Sequence, residues 1–232
     1  MHGNFGQFCP VALASEVLTQ RWMLLIIREL AAGATRFNDI RRGVPRISPT
    51  LLKQRLESLE RAEIVTRKPA GEQGAYDYLL TEAGMELKEV LTAIGGWGQR
   101  WARDINNNDL DPGWLIWSIH RRLNLPKFPK GLTVIFIQFL DARQSERFFW
   151  LVVRAGEVDV CLKNPGFAVT VKVTTTVRTL AEIWRGIREI KREIRAGNLV
   201  LEGESAIKRD FPSWLLLSVY APIKRRQKQN KS

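Results

Sequence analysis

The chain has 232 residues, with 36 lysines and arginines against 24 aspartates and glutamates, so its formal net charge is +12. A hydrophobic content of 45% with 17 glycines and 10 prolines excludes a disordered polycation and a collagen-like protein. This length favours two domains. The polar run Asn106 to Asp109, followed by Pro112 and Gly113, is typical of a linker. We therefore expect domains at residues 1–107 and 108–232.

Cysteine and histidine usage excludes several kinds of site. Cys9 and Cys161 cannot build a disulfide framework, and neither lies in a Cys-x-x-Cys pair typical of zinc sites. His2 and His120 have no carboxylate or cysteine at a spacing useful for catalysis. The N-terminus lacks a signal-peptide pattern, and every apolar run is shorter than the roughly 18 residues of a membrane span. We expect a soluble, cytoplasmic protein without metal or cofactor, and not an enzyme.

The first domain begins with helices. Apolar residues at helical spacing predict helices at Pro10–Leu18, Trp22–Leu30 and Arg36–Gly43. Ser48 is a predicted N-cap and Pro49 the first residue of a fourth helix, which runs to about Ala62. A short helix, a tight turn and a second helix with a polar first turn is the arrangement that places a recognition helix in the major groove of DNA.

Two strand-like runs follow, Ile64–Lys68 and Tyr76–Leu80, and a further helix starts after the N-cap Thr81. This order of elements predicts a winged helix-turn-helix. The tip of the predicted wing carries Glu72 and Gln73 instead of a basic residue. The sequence therefore gives little support to insertion of the wing into the minor groove.

Several sequence blocks in residues 9–101 resemble the HxlR-type transcriptional regulators. These blocks are Cys9-Pro-Val, Arg21 to Leu30, Arg36 to Ile40, Ile47 to Leu56, Leu59 to Ala62 and Leu80 to Gly84. The resemblance implies a homodimer that binds double-stranded operator DNA, with Pro10 to Leu18 and Leu87 to Trp101 forming the dimer interface. It also suggests Cys9 as an oxidation sensor, because some members use a cysteine at the Cys-Pro position; the alternative is a buried structural cysteine.

Two sets of residues in these blocks are candidates for DNA contact. Hydroxyl, amide and ammonium groups can meet base edges, and the residues expected there are Ser48, Thr50, Lys53 and Gln54. Contacts to phosphates position the protein on the duplex, and the residues expected there are Arg36, Arg55, Arg67 and Lys68. Arg55 borders the core on a helical wheel, so a structural role is the alternative for it.

The second domain mixes strands and helices. β-Branched and aromatic runs predict four strands of a mainly antiparallel sheet within residues 132–175 and one more at Leu199–Glu202. Helices are predicted at Trp114–Leu125, across residues 180–195, and at Ser205–Leu217. The fold class is thus α+β, with a winged helix-turn-helix followed by a sheet packed by helices.

Part of the second domain resembles the sterol-carrier-protein-like lipid-binding domain. The blocks that carry this resemblance are Leu180 to Gly186, Gly197 to Gly203 and Phe211 to Leu215, within about residues 130–218. It implies an apolar pocket between sheet and helices, which would bind its ligand by shape and burial. The candidate lining residues are Trp117, Phe136, Phe149, Trp150, Trp184 and Trp214. The alternative is that these rings fill a solid core.

Charge is distributed unevenly along the chain. Residues 1–107 carry a net charge of +2 and residues 108–232 carry +10, but residues 35–68 contain nine basic and four acidic residues. Together with the motifs, this predicts a DNA-binding transcriptional regulator whose operator affinity an apolar ligand in the second domain would modulate. The alternative is a carrier of lipid or sterol-like ligands, or a cryptic enzyme, that uses the helical domain for dimerisation.

Overall fold

The computed structural model describes residues 5–71 and 75–226. His2, Glu72, Gln73 and the end of the basic tail lie outside these ranges. The chain divides into two compact units, Met1–Gly95 and Gly96–Ser232. The division falls inside one helix, whereas the sequence predicted a boundary further along the chain, between residues 107 and 108.

The first unit contains a helix-turn-helix and a hairpin in the predicted order. Its elements are α1 (Pro10–Leu18), α2 (Met23–Ala31), α3 (Phe37–Gly43), α4 (Pro49–Arg61), β1 (Val65–Pro69), β2 (Tyr76–Leu80) and the start of α5 (Glu82–Trp101). Strands β1 and β2 are antiparallel, with Val65 opposite Leu80. The winged helix-turn-helix predicted from sequence is thereby confirmed.

The core of this unit is formed where α4 packs on α2. Residues Leu52, Leu56 and Leu59 of α4 are at most 1% exposed, and they join one apolar cluster with the buried side chains of α2. Ser48 is the N-cap of α4, as predicted, because its Oγ accepts a hydrogen bond from the Leu51 amide at 3.2 Å. The cap fixes where α4 begins, and the leucines fix which face it buries.

A buried carboxylate joins α2 to the end of α3. Glu29 is 1% exposed and forms an ion pair with Arg28 at 2.7 Å. The Arg28 guanidinium also donates from Nη2 to the carbonyl oxygen of Gly43, at 2.8 Å. A Cβ atom on Gly43 would overlap the Glu29 carboxylate, so glycine at this position allows the end of α3 to approach α2 closely.

Among the described residues, no single helix is long and apolar enough to cross a membrane. Helices α1 and α2 meet that test only as a pair, with a bend of 84° between them. The apolar side chains Met23, Ile26 and Ile27 of α2 are fully buried in the core of the first unit.

The second unit is built on a five-stranded sheet. Its helices are α6 (Pro112–His120), α7 (Val177–Trp184), α8 (Ile190–Arg195) and α9 (Ser205–Asp210). Its strands are β3 (Thr133–Phe139), β4 (Phe148–Arg154), β5 (Glu157–Cys161), β6 (Val171–Thr175) and β7 (Leu199–Gly203). The strand order is β5-β4-β3-β6-β7. Three of the four strand pairs are antiparallel and the central β3–β6 pair is parallel, so the sheet is mixed.

The predicted continuous helix across residues 180–195 is wrong. The chain forms α7 and α8, separated by residues 185–189. Gly186 has a φ of +71°, in the left-handed region, and the Ile187 amide donates to the Glu182 carbonyl. This is the geometry with which glycine commonly ends a helix. An apolar stripe that continues past the glycine had suggested one helix where there are two.

The other two predicted helices of this unit are shorter than expected. Helix α6 ends at His120. Helix α9 ends at Asp210, and a 3-10 turn at Phe211–Ser213 follows it. Pro212 lies in this turn, and because proline has no amide proton it cannot donate the backbone hydrogen bond that would continue the helix.

The apolar core of the second unit lies between one face of the sheet and its helices. Phe149, Trp184 and Trp214 are buried in this core. Phe136 and Trp150 lie on the other face of the sheet, away from the helices. They form a cross-strand pair between β3 and β4, with ring centroids 4.9 Å apart. They therefore cannot line a pocket on the helix side, where the resemblance to lipid-binding domains implied one.

A small apolar cavity lies in this core and bears on ligand binding. It is lined by Ile119, Ile135, Ile137, Leu151, Val173, Leu180, Phe211 and Leu215. None of the six aromatic residues predicted to line a pocket is among them. Its volume is about 10 Å³, room for about one water molecule.

The packing at Gly43 yields a stability prediction. Gly43→Ala should destabilise the first unit by about 1–3 kcal/mol, because the new methyl group displaces the Glu29 carboxylate from its buried position. Thermal unfolding followed by far-ultraviolet circular dichroism measures this change. The matched control is Gly98→Ala in α5, where a Cβ meets nothing within 4 Å. The control should stabilise the helix by about 0.5–1 kcal/mol. Equal unfolding temperatures for both variants would contradict the proposed packing.

Candidate nucleic-acid interface

Helix α4 presents a polar face opposite its buried leucines. Thr50, Lys53 and Gln54 are exposed and are spaced at i, i+3 and i+4, so they lie on one face. Ser48 is exposed at the start of the same helix, where its oxygen accepts from the Leu51 amide. Its hydroxyl proton remains able to donate. The structure thus brings together the four residues predicted to meet base edges.

Two of the predicted phosphate-binding arginines pair with carboxylates. Arg36 Nε lies 3.1 Å from Asp77 Oδ1, and Arg67 Nε lies 3.8 Å from Glu60 Oε1. Arg67 also lies over the Tyr76 ring, 4.4 Å from its centroid. All these side chains remain partly exposed. Such surface pairs contribute little to stability, so the arginines can exchange a carboxylate for a phosphate at small cost.

Tyr78, in the second strand of the hairpin, has a perturbed pKa. Burial raises the pKa of the Tyr78 hydroxyl above its ordinary value, and the nearby positive charge of Arg67 partly offsets this rise. Tyr78 therefore stays protonated near neutral pH. Close by, Lys68 is exposed, and neither it nor Lys53 forms an ion pair with any residue the structure describes.

Arg55 is held by the turn between α1 and α2. Its Nε donates to the Arg21 carbonyl oxygen at 3.1 Å, and its Nη1 donates to Gln20 Oε1 at 3.0 Å. These two bonds correspond to the structural alternative that the sequence left open. Contact of Arg55 with phosphate stays a prediction.

Three further exposed cations were not named among the predicted DNA-contacting residues. Arg41 and Arg42 lie at the end of α3 and Arg46 lies in the turn before α4, and all three are exposed. Arg42 lies 3.5 Å from Asp39. Basic residues beside the start of a helix are well placed for anions, because the helix dipole and the free amides there attract negative charge. The cluster of arginines around Pro45 was the available signal.

Cys9 is exposed and directly precedes α1. In the single chain it is therefore not the buried structural cysteine considered from the sequence. Cys161 lies in the second unit and is half-buried on β5. Oxidation sensing by Cys9 stays a prediction.

Helices α1 and α5 expose large apolar side chains. Val11 is 73% exposed and Leu13 is 52% exposed on α1, while Val90 and Ile94 are 41% and 46% exposed on α5. Phe8, just before α1, is 97% exposed. These positions lie in or beside the segments that the resemblance assigned to a dimer interface. Contiguous apolar exposure marks interaction surfaces in soluble proteins.

Comparison with known proteins gives a consistent result for this part of the chain. Residues 17–106 match the HxlR-like helix-turn-helix family. The uncharacterized HTH-type transcriptional regulator YvaP of Bacillus subtilis is 32% identical over 114 residues, which make up 48% of this chain and 98% of YvaP. The HTH-type transcriptional regulator YodB of the same organism is 37% identical over 95 residues, 40% of this chain and 85% of YodB.

A solved structure of the reduced form of YodB covers 43% of this chain and all of its own, at 33% identity and a TM-score of 0.37. The matched regions cover most of the length of each relative but less than half of this chain. The shared part of this chain is the helix-turn-helix part, which the family match places at residues 17–106. The chain belongs to the HxlR-like helix-turn-helix family, and it is a DNA-binding transcriptional regulator.

Proposed function

We propose that the protein binds a roughly palindromic operator as a homodimer, with α4 of each copy in the major groove. The observation that carries this proposal is the polar face of α4, on which Thr50, Lys53 and Gln54 are exposed beside the capped N-terminus. A recognition helix contacts base edges from its N-terminal residues. In a two-fold dimer, the two helices read equivalent half-sites.

The side chains on this face suit different bases. Gln54 can pair with adenine through its amide, and Lys53 can donate to the guanine acceptors in the major groove. Thr50 offers a hydroxyl for either base and a methyl group for thymine. Arg36, Arg67 and Lys68 contribute contacts to phosphates, which fix the register of the helix without reading sequence.

The reading face is tested by Lys53→Ala combined with Gln54→Ala. The operator is first selected by the full chain from fragments of genomic DNA. The double variant should lose its preference for this operator over a scrambled duplex, by about 1–3 kcal/mol for each lost base contact. Fluorescence anisotropy with both duplexes measures the preference.

The matched control for this experiment is Lys68→Ala. It should weaken binding to both duplexes equally and reduce the salt dependence by about one phosphate contact. An unchanged preference in the Lys53 and Gln54 double variant would overturn the assignment of the reading face.

Dimerisation through α1 and α5 is supported by their exposed apolar side chains. Val11 and Leu13 on α1 and Val90 and Ile94 on α5 offer apolar area that a second copy can cover. In a two-fold dimer the same patch serves both copies, so one set of residues closes the interface. The resemblance to the HxlR-type regulators gives the same two segments.

The dimer is tested by Val11→Asp combined with Val90→Asp. Burying these charges in an interface is costly, so the variant should be monomeric by analytical ultracentrifugation and should bind the operator much more weakly. Both positions are exposed in the single chain, so folding should persist. The control is Leu162→Asp, at an apolar position of the second unit that is 68% exposed. A monomeric control, or a dimeric variant, would contradict the proposed interface.

An apolar ligand in the second unit is a further part of the proposal. It is supported by the resemblance to lipid-binding domains and by the cavity, whose eight lining residues are all apolar. Because the cavity has room for about one water molecule, a larger ligand has to displace some of the lining side chains. Ligand binding would affect DNA only through a coupling free energy between the two sites.

Native mass spectrometry of the full chain purified without detergent tests the ligand. We expect an adduct of lipid mass, and delipidation should change operator affinity by the same factor by which operator DNA changes ligand affinity. An adduct without any effect on operator affinity would favour the carrier function instead. Absence of an adduct after incubation with a total lipid extract would remove the ligand from the proposal.

A further inference from the structure

The second unit carries nearly all of the net charge of the protein. Residues 96–232 contain 24 basic and 13 acidic residues, whereas residues 1–95 contain 12 and 11. The unit that lies outside the helix-turn-helix therefore has a net charge of +11. A charge of this size attracts polyanions over long distances, and the distribution of the cations decides where contact takes place.

Helix α8 concentrates unpaired cations on one face. Lys191, Arg192 and Arg195 are all exposed, and their spacing of three and four residues places them side by side. Ile190 and Ile194 of the same helix pack against the core. We call Lys191, Arg192 and Arg195 the α8 cationic face.

The acidic residue of α8 makes its hydrogen bonds on the inner side of the helix, away from this face. Glu193 is 7% exposed, and its Oε2 accepts from Asn198 Nδ2 at 2.7 Å and from Arg188 Nη1 at 3.2 Å. Glu182 on α7 likewise binds Arg178 and Arg188. Within residues 5–71 and 75–226, no carboxylate forms an ion pair with the α8 cationic face. Exposed helix faces ordinarily mix both signs of charge.

We propose that the α8 cationic face binds the phosphate backbone of DNA next to the site held by the helix-turn-helix. Two of its three cations are arginines, whose planar guanidinium groups match phosphate oxygens in pairs. Once the first unit has bound, the second unit is held near the same duplex by the chain. Even weak phosphate contacts then add to affinity through a high effective concentration. This proposal rests on DNA binding by the first unit.

The composition of the face favours DNA over an anionic membrane surface. Helices that bind in the plane of a membrane bury a continuous apolar face in the lipid. The apolar residues of α8 are used in the core instead, and its outward side chains are all charged. Ile187, before the helix, is 45% exposed, but a single side chain is a small apolar area. Phosphate contact without insertion fits the face better.

The test compares two triple variants of the full chain with equal net charge. In the first, Lys191→Gln, Arg192→Gln and Arg195→Gln remove the α8 cationic face. In the second, the control, Lys127→Gln, Lys130→Gln and Arg143→Gln remove three other exposed cations of the same unit. Circular dichroism checks that both are folded. Affinity for a labelled random-sequence duplex is then measured between about 50 and 200 mM salt, the range over which phosphate contacts change affinity strongly.

The expected result is a difference in salt dependence. The slope of log K against log salt is negative, and each lost phosphate contact reduces its magnitude by about 0.9. Loss of three contacts makes the first variant about 40-fold less sensitive than wild type to the fourfold rise in salt. The control variant should keep the wild-type slope. Both should retain the preference for operator over scrambled DNA, since phosphate contacts carry no sequence information.

Two results would overturn the proposal. Equal slopes for the two triple variants would show that only total charge matters. Loss of binding to phosphatidylserine vesicles by the first variant alone, with its DNA slope unchanged, would assign the face to a membrane surface. If the function proposed above is wrong, the wild-type protein will show no preference for operator over scrambled DNA. The slopes on random DNA do not depend on that preference, so they test the α8 cationic face separately.

Discussion

The packing of α4 on α2 is the constraint from which the proposed DNA-binding surface follows. Leu52, Leu56 and Leu59 leave only one face of α4 for solvent, because they are buried in the core with the apolar side chains of α2. The Ser48 cap fixes the first turn of the helix, so Thr50 and Lys53 have a defined rotation about its axis. A helix that shifted by one residue would bury a polar side chain, which costs more than the cap contributes.

The elements of the first unit could be predicted from local sequence signals, whereas its long-range contacts are known only from the structure. Ser48 followed by Pro49 starts α4 as expected, because capping depends on neighbouring residues only. Arg55, by contrast, donates to Gln20 and Arg21, more than thirty residues away in the sequence. No periodicity in α4 indicates these partners. From the sequence, Arg55 could be given two possible roles, phosphate contact and a structural role, but its partners could not be identified.

In the second unit, the predictions failed where both sides of an element are apolar. On β3, Ile135 and Ile137 face the helices, but Val134 and Phe136 on the other side are also apolar. Alternation identifies two faces and does not tell which one meets the core. The pocket predicted from the resemblance therefore included Phe136 and Trp150, which lie on the wrong face. The α7–α8 break was missed for a related reason, since the apolar stripe continues through Gly186.

Total charge alone would have assigned DNA binding to the second unit. How strongly phosphate binding at each surface depends on salt is decided by which cations already have carboxylate partners. Arg36 and Arg67 hold Asp77 and Glu60 at the surface of the first unit, so binding a phosphate there replaces one ionic partner by another. The α8 cationic face has no such partner to displace among the described residues. DNA contact there would instead release the counterions condensed on the phosphates, which makes it the more salt-dependent of the two surfaces. The first unit would then supply most of the sequence preference, and the second would supply affinity that disappears as the salt concentration rises.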